Sequence, residues 1–480
     1  MNLDNVKVPT EAEIAEMETT AEVVRGEMKA AAESATGGDR PEHSGQVRMA
    51  YRLEGSYAGK LLHVHGIGWL AWDGRRWSAD DPGLPKRAVL NVLRAALTDS
   101  LEDKELRAHV RKCESNAGVT GVLSIAASLE RFSATPAELD ADPYLLNVAN
   151  GTLDLRTREL RPHDPADRIT KVTNAAYVPG APTATWGTFL AQVLPDTEVR
   201  EFVQRLVGVG LLGLVVEHVL AILTGTGANG KGTFDKALRY ALGDYASTVE
   251  PDLFLHRQGA HPTGEMDLLG VRWCVLSETD KHRRLAEATM KRLTGGDTIH
   301  ARRMREDFIE FEPSHTAVMI TNHLPKVSGD DPAIWRRLRV VPFGVVIPPE
   351  HRDKHLDEQL QLDADAILSW AVAGYADYAL RGKLAEPATV LAATDAYQRA
   401  SDAVARFVDE ECCVTPTMGG CITAKLYHHW ECWARADGAD DLSSKAFGQA
   451  LDRLGYPTVK GAGGARIRKG LDINPADGER

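Results

Sequence analysis

The sequence predicts an α/β protein, and three observations carry that prediction. Apolar runs of strand length lie at Val219–Leu223, Val271–Leu276 and Thr316–Ile320, and runs of this kind suit strands buried on both faces. Each run leads into a glycine-rich or polar terminus: Gly225 to Thr233 after the first, Glu278 after the second, Asn322 after the third. The glycine-rich turn opens into a helical pattern from Phe234 to Leu242. A strand, a glycine turn and a helix that starts at a lysine form one supersecondary unit.

That unit has the layout of a P-loop, with Gly225 and Gly230-Lys231 at the GxxxxGK spacing. Glycines let successive backbone N–H groups curl around an anion, the helix N-terminus adds its positive dipole end, and the lysine reaches the outer phosphates. Gly225, Gly227, Asn229, Gly230, Lys231, Gly232, Thr233 and Phe234 are the expected nucleotide-binding residues, with ATP as the nucleotide. The hydroxyl expected directly after the lysine is displaced by one position, since Gly232 stands there and Thr233 follows. Thr233 and Glu278 are the expected Mg²⁺ ligands, with coordination through Thr233 or through water left open beside Gly232.

Ligands of α/β sheets bind at the carboxyl ends of strands, so Lys231, Glu278 and Asn322 are expected in one site as catalytic residues. In a nucleotide hydrolase the lysine and Mg²⁺ neutralise developing phosphate charge, and the carboxylate orients water or metal. The asparagine holds the attacking water or the γ-phosphate. Farther along, Arg336-Arg337 precede an apolar strand to Phe343. Arg337 is the expected fourth catalytic residue, a guanidinium reaching a neighbouring subunit's γ-phosphate; a salt-bridged surface pair is the alternative.

The rest of the chain is read in order. Its first forty residues hold nine acidic and four basic side chains and no apolar core, which excludes a secretory signal and an arginine-rich transit peptide. A flexible acidic tail is expected over 1–45. An α+β N-terminal domain follows over 46–185. In it Trp69 to Trp77 makes a hairpin about an Asp-Gly turn, with aromatics that pack a core or stack bases. The pattern is helical from Lys86 to about Phe132 with a break near Asn116-Ala117-Gly118, and Asn150-Gly151 marks a second hairpin. Pro179 to Pro182 is a linker, and the core domain is expected over 186–390.

Between the second and third strands, His300 to Phe311 alternates as a hairpin carrying Arg302, Arg303 and Arg305, basic side chains that suit sequence-independent phosphate contact or form a solvated strand edge. Lys291 and Asp297 belong to the nucleotide site or pair with each other. Residues 391–480 read as helices followed by a glycine-tipped basic ribbon, the pattern of a winged helix. From Ser443 to Gly470 there are six basic side chains and one acidic, against a net charge of -12 for the whole chain. Any nucleic-acid contact must therefore be local, and Lys460, Arg466, Arg468 and Lys469 are the expected residues, with a protein–protein winged helix as the alternative. The six cysteines form no disulfide-like framework, and Leu206 to Val216 is too short for a membrane span. A cytoplasmic location is expected, the host cytoplasm for a phage-encoded chain.

Taken together, Gly225–Thr233, Ser277-Glu278, Lys291–Asp297, Thr321–Pro325 and Trp335-Arg336-Arg337 resemble, in order, the motifs of the superfamily 3 helicases of the phage and plasmid primase–helicase type, related to the poxvirus nucleoside triphosphatase. The stretch from Asn147 to His163 also looks like the domain preceding that ATPase, and the likeness covers roughly 140 to 390. It implies an AAA+-like ATPase core, a homo-hexameric ring and 3′-to-5′ movement along single-stranded or forked DNA. It also implies basic hairpin residues in the central channel; no primase-like cluster of carboxylates is read before residue 140, so the expectation is either a lost primase or a separate primase or polymerase as partner. The sequence departs from that pattern at Gly232 and in having one carboxylate, Glu278, after a serine, with Asp280 two positions on. An ATP-dependent replicative DNA helicase of a phage or mobile element is the leading expectation. A nucleotide-switched initiator or loader and a P-loop DNA translocase are its alternatives.

Overall fold

The structure is a computed structural model that describes residues 40–79, 81–250, 253–255, 262–277, 284–302, 308–327, 331–414, 420–437, 439, 441–460 and 465–474. The acidic stretch 1–39 lies outside the described residues. The chain forms two compact units, one of residues up to Ala141 with His163–Thr170, the other of Asp142–Pro162 with everything from Lys171.

In the first unit, α1 (Gly45–Tyr57), β1 (Leu61–Val64), β2 (Gly68–Trp72) and β3 (Trp77–Ser78) lead into α2 (Leu84–Asp99), α3 (Lys104–Cys113) and α4 (Asn116–Ala126), then β4 (Ser133–Ala134). The Trp69–Trp77 hairpin forms, with Trp72 opposite Trp77. Its aromatics serve packing: Trp77 is buried and donates its indole N–H to the Pro165 carbonyl at 2.9 Å, and Trp69 lies edge-on to Phe132. The helical break falls earlier than Asn116. Ser115 is extended and its hydroxyl accepts from the Gly118 N–H, so it caps α4 and Asn116 to Gly118 begin the helix.

The second unit opens with β5 (Leu145–Val148), β6 (Gly151–Asp154) and β7 (Glu159–Arg161), an antiparallel meander. Val148 pairs with Gly151, so the turn residues are Ala149 and Asn150, one position before the expected pair. Next come α5 (Ala184–Val193), α6 (Thr197–Val209), β8 (Leu220–Thr224), α7 (Lys231–Leu242), β9 (Ala246–Val249) and β10 (Trp273–Ser277). They are followed by α8 (Glu287–Leu293), the antiparallel pair β11 (Ile299–Ala301) and β12 (Ile309–Phe311), β13 (Thr316–Thr321), α9 (Pro332–Trp335) and β14 (Leu338–Pro342). Then α10 (Leu356–Leu362), α11 (Ala364–Arg381) and α12 (Ala388–Ser401) close the stretch.

The central sheet is parallel throughout, in the order β14-β8-β13-β10-β9. Side chains alternate across it. Ala221, Leu223, Val275, Val318 and Val341 pack with α5, α6, α7 and α11 on one face. Leu220, Ile222, Leu276, Met319 and Val340 pack with residues of α8 and α12 on the other. Burial on both faces explains why these strands read as unbroken apolar runs.

The helix α12 belongs to this core. The Val340 N–H donates to the Thr394 hydroxyl at 3.0 Å, the Tyr397 hydroxyl donates to the Pro325 carbonyl, and Tyr397 lies edge-on to Trp335. The next helix follows Asp402, whose carboxylate caps α13 (Ala403–Glu411). Beyond it lie β15 (Cys412–Val414), β16 (Gly420–Ile422), α14 (Thr423–Asp437), α15 (Ser444–Arg453), β17 (Thr458–Lys460), β18 (Arg466–Lys469) and β19 (Leu471–Ile473). One small sheet runs β16-β18-β17 and β15 pairs with β19, over a core of Phe407, Leu426, Trp430 and Phe447.

Candidate functional site at the carboxyl ends of the parallel strands

The register of β8 and β13 builds the site. Thr321 pairs with Thr224, so Gly225 and Asn322 leave adjacent strands side by side. On the other flank Pro342 pairs with Thr224, and the Phe343 N–H donates to the Thr224 carbonyl at 2.8 Å. The loop then turns through left-handed conformations at Gly227 (φ 100°), Ala228 (φ 50°) and Gly230 (φ 83°). Two of these are glycines because side chains rarely tolerate positive φ. Gly225 is required by close approach, since a Cβ there would meet the Phe343 carbonyl oxygen at 2.4 Å.

The Lys231 ammonium is the focus of this loop. It donates to the Gly225 carbonyl at 2.9 Å, to Asn229 Oδ1 at 3.1 Å and to Asn322 Oδ1 at 3.1 Å. Asn229 is buried and holds its other side-chain atom, Nδ2, against the Phe343 carbonyl at 3.1 Å. Lys231 is itself buried, and that burial pulls its pKa below the usual lysine value. The site therefore holds a cation at the start of α7, hydrogen-bonded to three neutral acceptors. A desolvated cation at the N-terminus of a helix is a place for an anion.

The other expected residues divide by position. Gly232 is exposed, with open space where its Cβ would stand, and Thr233 is half-buried. The Phe234 side chain is buried, stacks on Trp186 with ring centroids 5.6 Å apart and meets Phe343 edge-on. It anchors α7 to the core. Strand β10 ends at Ser277, and Glu278 lies outside the described residues, as do Asp280, Arg303 and Arg305.

Arg337 sits at the opposite end of the sheet from the loop. The Leu220 N–H donates to the Arg337 carbonyl at 2.8 Å, and the guanidinium donates to the Ala333 carbonyl at 2.9 Å. Asp331 caps the short α9 just before it and is ion-paired to Lys291, which resolves the pairing of Lys291 in favour of Asp331 over Asp297. Arg302 is exposed and lies over the Phe308 ring at 4.5 Å.

In the terminal module, Lys460, Arg466 and Lys469 are exposed. Arg468 is not: it is 3% exposed, ion-paired to Asp452, and donates to the carbonyls of Tyr456 at 2.8 Å and Gly448 at 2.9 Å. Alternation along β18 separates Arg468 from Lys469, whereas Arg466, two residues before Arg468 on the same side, is exposed at the start of the strand. Arg468 ties the hairpin to the helix and is withdrawn from the DNA-contact set.

Two groups escaped the sequence reading. One is the stretch from Ile347 to Gln359, whose Ile347 N–H donates to the Ala228 carbonyl at 2.8 Å. It lies more than a hundred residues from the loop, and it carries no motif. The other is Arg272, a buried guanidinium that donates to the carbonyls of Leu211 at 2.6 Å and Leu145 at 2.7 Å and so fastens the β5–β7 meander to the sheet.

Residues 50–195 match the family model described as D5 N terminal like, and residues 223–337 match a family of unknown function, DUF5906. A candidate helicase of Acanthamoeba polyphaga mimivirus is 30% identical over 241 residues, 49% of this chain and 25% of that protein. These matches support a D5-like protein of the superfamily 3 helicase and primase type. A candidate helicase of Frog virus 3 (isolate Goorha) is 24% identical to the D5-like chain over 415 residues, 69% of it and 42% of the relative. A candidate primase of African swine fever virus (isolate Warthog/Namibia/Wart80/1980) is 27% identical over 229 residues, 46% and 24% of the two chains. The D5-like chain thus spans about a quarter to two-fifths of these relatives. Among solved structures, the apo NrS-1 C terminal region aligns with a TM-score of 0.38 at 12% identity, covering 62% of this chain and 78% of that one. No helix among the described residues is long and apolar enough to cross a membrane.

Proposed function

We propose that the D5-like chain is an ATP-dependent DNA helicase whose P-loop, Gly225 to Thr233, binds the phosphates of ATP. One observation carries the reading: the buried Lys231 ammonium meets Asn322 Oδ1 at 3.1 Å across adjacent parallel strands. A lysine that bridges a glycine loop and a strand-end amide suits a site where anionic phosphate enters and displaces neutral acceptors. Asn322 is then free to hold the attacking water or the γ-phosphate. Bound ATP would bring Mg²⁺, which supplies charge neutralisation at the transferring phosphate. Thr233, half-buried at the start of α7, and Glu278 are the residues assigned to it, with Gly232 standing where a hydroxyl would ordinarily serve.

The DNA-facing assignments follow the same logic. Arg302, with Arg303 and Arg305, is assigned to the channel hairpin. Lys460, Arg466 and Lys469 are assigned to the wing of a winged helix formed by α14, α15 and β16–β18. Basic side chains tracking phosphates give sequence-independent grip. A ring of identical subunits fits this set, with Arg337 reaching the next subunit's ATP.

The direct test is strand displacement with ATP by the wild type and by Lys231→Ala. Unwinding by the wild type and its loss in the variant is the expected result; equal activity in the two would sink the assignment. ATP binding without turnover, with or without single-stranded DNA, would favour the nucleotide-switched initiator instead, a reading to which the glycine at 232 lends some support.

A further inference from the structure

Within the second unit, α12 touches the segments that carry Asn322 and Arg337 and then leads away from them. On one side lies the chain after Asn322. The Thr321 hydroxyl accepts from the His323 N–H at 3.0 Å and donates to the His323 carbonyl at 2.7 Å, which fixes the turn there. Just beyond, the Pro325 carbonyl accepts from the Tyr397 hydroxyl of α12. Tyr397 is buried, and burial raises its pKa above the usual tyrosine value, so the hydroxyl stays a donor.

On the other side stand the elements around Arg337. The Tyr397 ring lies edge-on to Trp335 of α9 with centroids 5.2 Å apart. The Val340 N–H of β14 donates to the Thr394 hydroxyl at 3.0 Å, and Glu386, just before α12, is ion-paired to Arg339 at 2.6 Å. Tyr397 thus meets the loop that presents Asn322 with its hydroxyl, and the helix that leads to Arg337 with its ring.

The far end of α12 is a tight joint. The Asp402 N–H donates to the Gln398 carbonyl at 3.1 Å and closes α12. Its carboxylate accepts from the Val404 and Ala405 N–H groups and opens α13, so one residue ends the first helix and starts the second. Past the joint, Phe407 of α13 packs on Trp430 of α14 and Phe447 of α15. Arg406 grips Asp437 of α14 with two bonds, at 2.6 and 2.8 Å, and Arg468 ties α15 to the basic ribbon.

We infer that α12 is a relay between the basic ribbon and the ATP site, with Tyr397 as the positioning residue that sets Asn322 and Arg337. A contiguous chain of packed rings and hydrogen bonds is the physical means. Single-stranded DNA held at Lys460, Arg466 and Lys469 then raises ATP turnover, and ATP tightens DNA binding, because coupling between two sites is reciprocal. The relay rests on the reading of Lys231 and Asn322 as the phosphate end of an ATP site.

The test measures ATP turnover by the full chain with and without a single-stranded oligonucleotide. It compares the wild type, Tyr397→Phe and a chain with Gly-Ser-Gly inserted between Ser401 and Asp402. The first variant removes the hydroxyl and keeps a ring on Trp335; the second changes no side chain and lengthens the joint. The expected result is that the increase in kcat caused by DNA shrinks at least about fivefold in both variants, the lower end of typical coupling between sites. The KM for ATP without DNA, and the Kd for the oligonucleotide without ATP, should stay within about twofold of wild type. An increase within about twofold of the wild-type one in either variant overturns the relay and leaves the ATPase reading standing. So does a fall of kcat in Tyr397→Phe by the same factor with and without DNA, which marks a merely structural tyrosine. A wild type that hydrolyses no ATP under either condition overturns both readings.

Discussion

At the scale of single residues, burial decides which ionisable groups carry chemistry and which carry stability. Lys231 keeps its charge in a desolvated place because Asn229, Asn322 and the Gly225 carbonyl surround it, and its depressed pKa records the cost of that burial. His315, at the entry to β13, is 2% exposed, and burial pulls its pKa down to about 4 from 6.5, with the Leu293 carbonyl opposing weakly. The folded chain therefore holds His315 neutral where the unfolded chain takes up a proton. Its contribution is complete above pH 6.5 and is lost as pH falls from 6.5 towards 4, by about 3 kcal/mol over that window. His315→Gln should shrink the loss of stability between pH 6.5 and 4 by about that amount. Urea midpoints measured across the window check this, and parallel curves for the two proteins would refute it. Sequence alone showed Lys231 and Asn322 because one ends the glycine loop after an apolar strand and the other directly follows an apolar strand. It did not show that His315 is buried, nor that Phe234 turns inward, because both depend on which face of a strand or helix meets the core.

At the scale of elements, the close crossing of α6 and α11 sets the platform on which α7 and its loop rest. Gly208 and Gly374 face each other there: a Cβ on Gly208 would stand 2.1 Å from the Tyr375 backbone nitrogen, and one on Gly374 2.0 Å from the Gln204 carbonyl oxygen. Nothing in the local pattern distinguishes these two from an ordinary helical glycine, so that contact was not legible. The strands were, since two-sided burial writes itself as unbroken apolar runs. The basic ribbon was legible in composition but not in direction. Arg468 turns onto α15 and spends its charge on Asp452 and two carbonyls, whereas Lys460, Arg466 and Lys469 remain exposed. Replacing these three by alanine should lower single-stranded DNA affinity and reduce the salt dependence of log K by about 2, at roughly 0.7 per phosphate contact. Arg468→Ala should instead lower the stability of the fold, because it leaves Asp452 and the Tyr456 and Gly448 carbonyls without their partner. Fluorescence anisotropy at several salt concentrations reads the first effect; an unaltered slope in the triple variant would remove the hairpin from the DNA interface.

At the scale of the whole molecule, the parallel register limits where Arg337 acts. Its carbonyl pairs with the Leu220 N–H, at the start of β8, while the lysine loop begins after Thr224 at the other end of that strand. Five strand residues separate them, roughly 16 Å, which is farther than an arginine side chain extends. Among the described residues, the Arg337 Nε is also buried without a hydrogen-bond partner, so its guanidinium is incompletely satisfied within its own chain. If Arg337 stabilises a phosphoryl transition state, the nucleotide it serves belongs to another subunit. Lys291 and Asp331 then act as positioning residues, since Asp331 caps the helix whose Ala333 carbonyl holds the guanidinium. The consequence is measurable without knowing the ring size. Arg337→Ala and Lys231→Ala should each be nearly inactive alone, whereas mixed subunits should regain part of the ATP turnover. Recovery arises because some interfaces then combine an intact lysine loop from one chain with an intact arginine from its neighbour. The recovery should peak near equal proportions and vanish when both substitutions sit in the same chain. A flat response at every ratio, from mixtures shown by native mass spectrometry to have exchanged subunits, would place Arg337 outside the reaction and leave it as a support for α9.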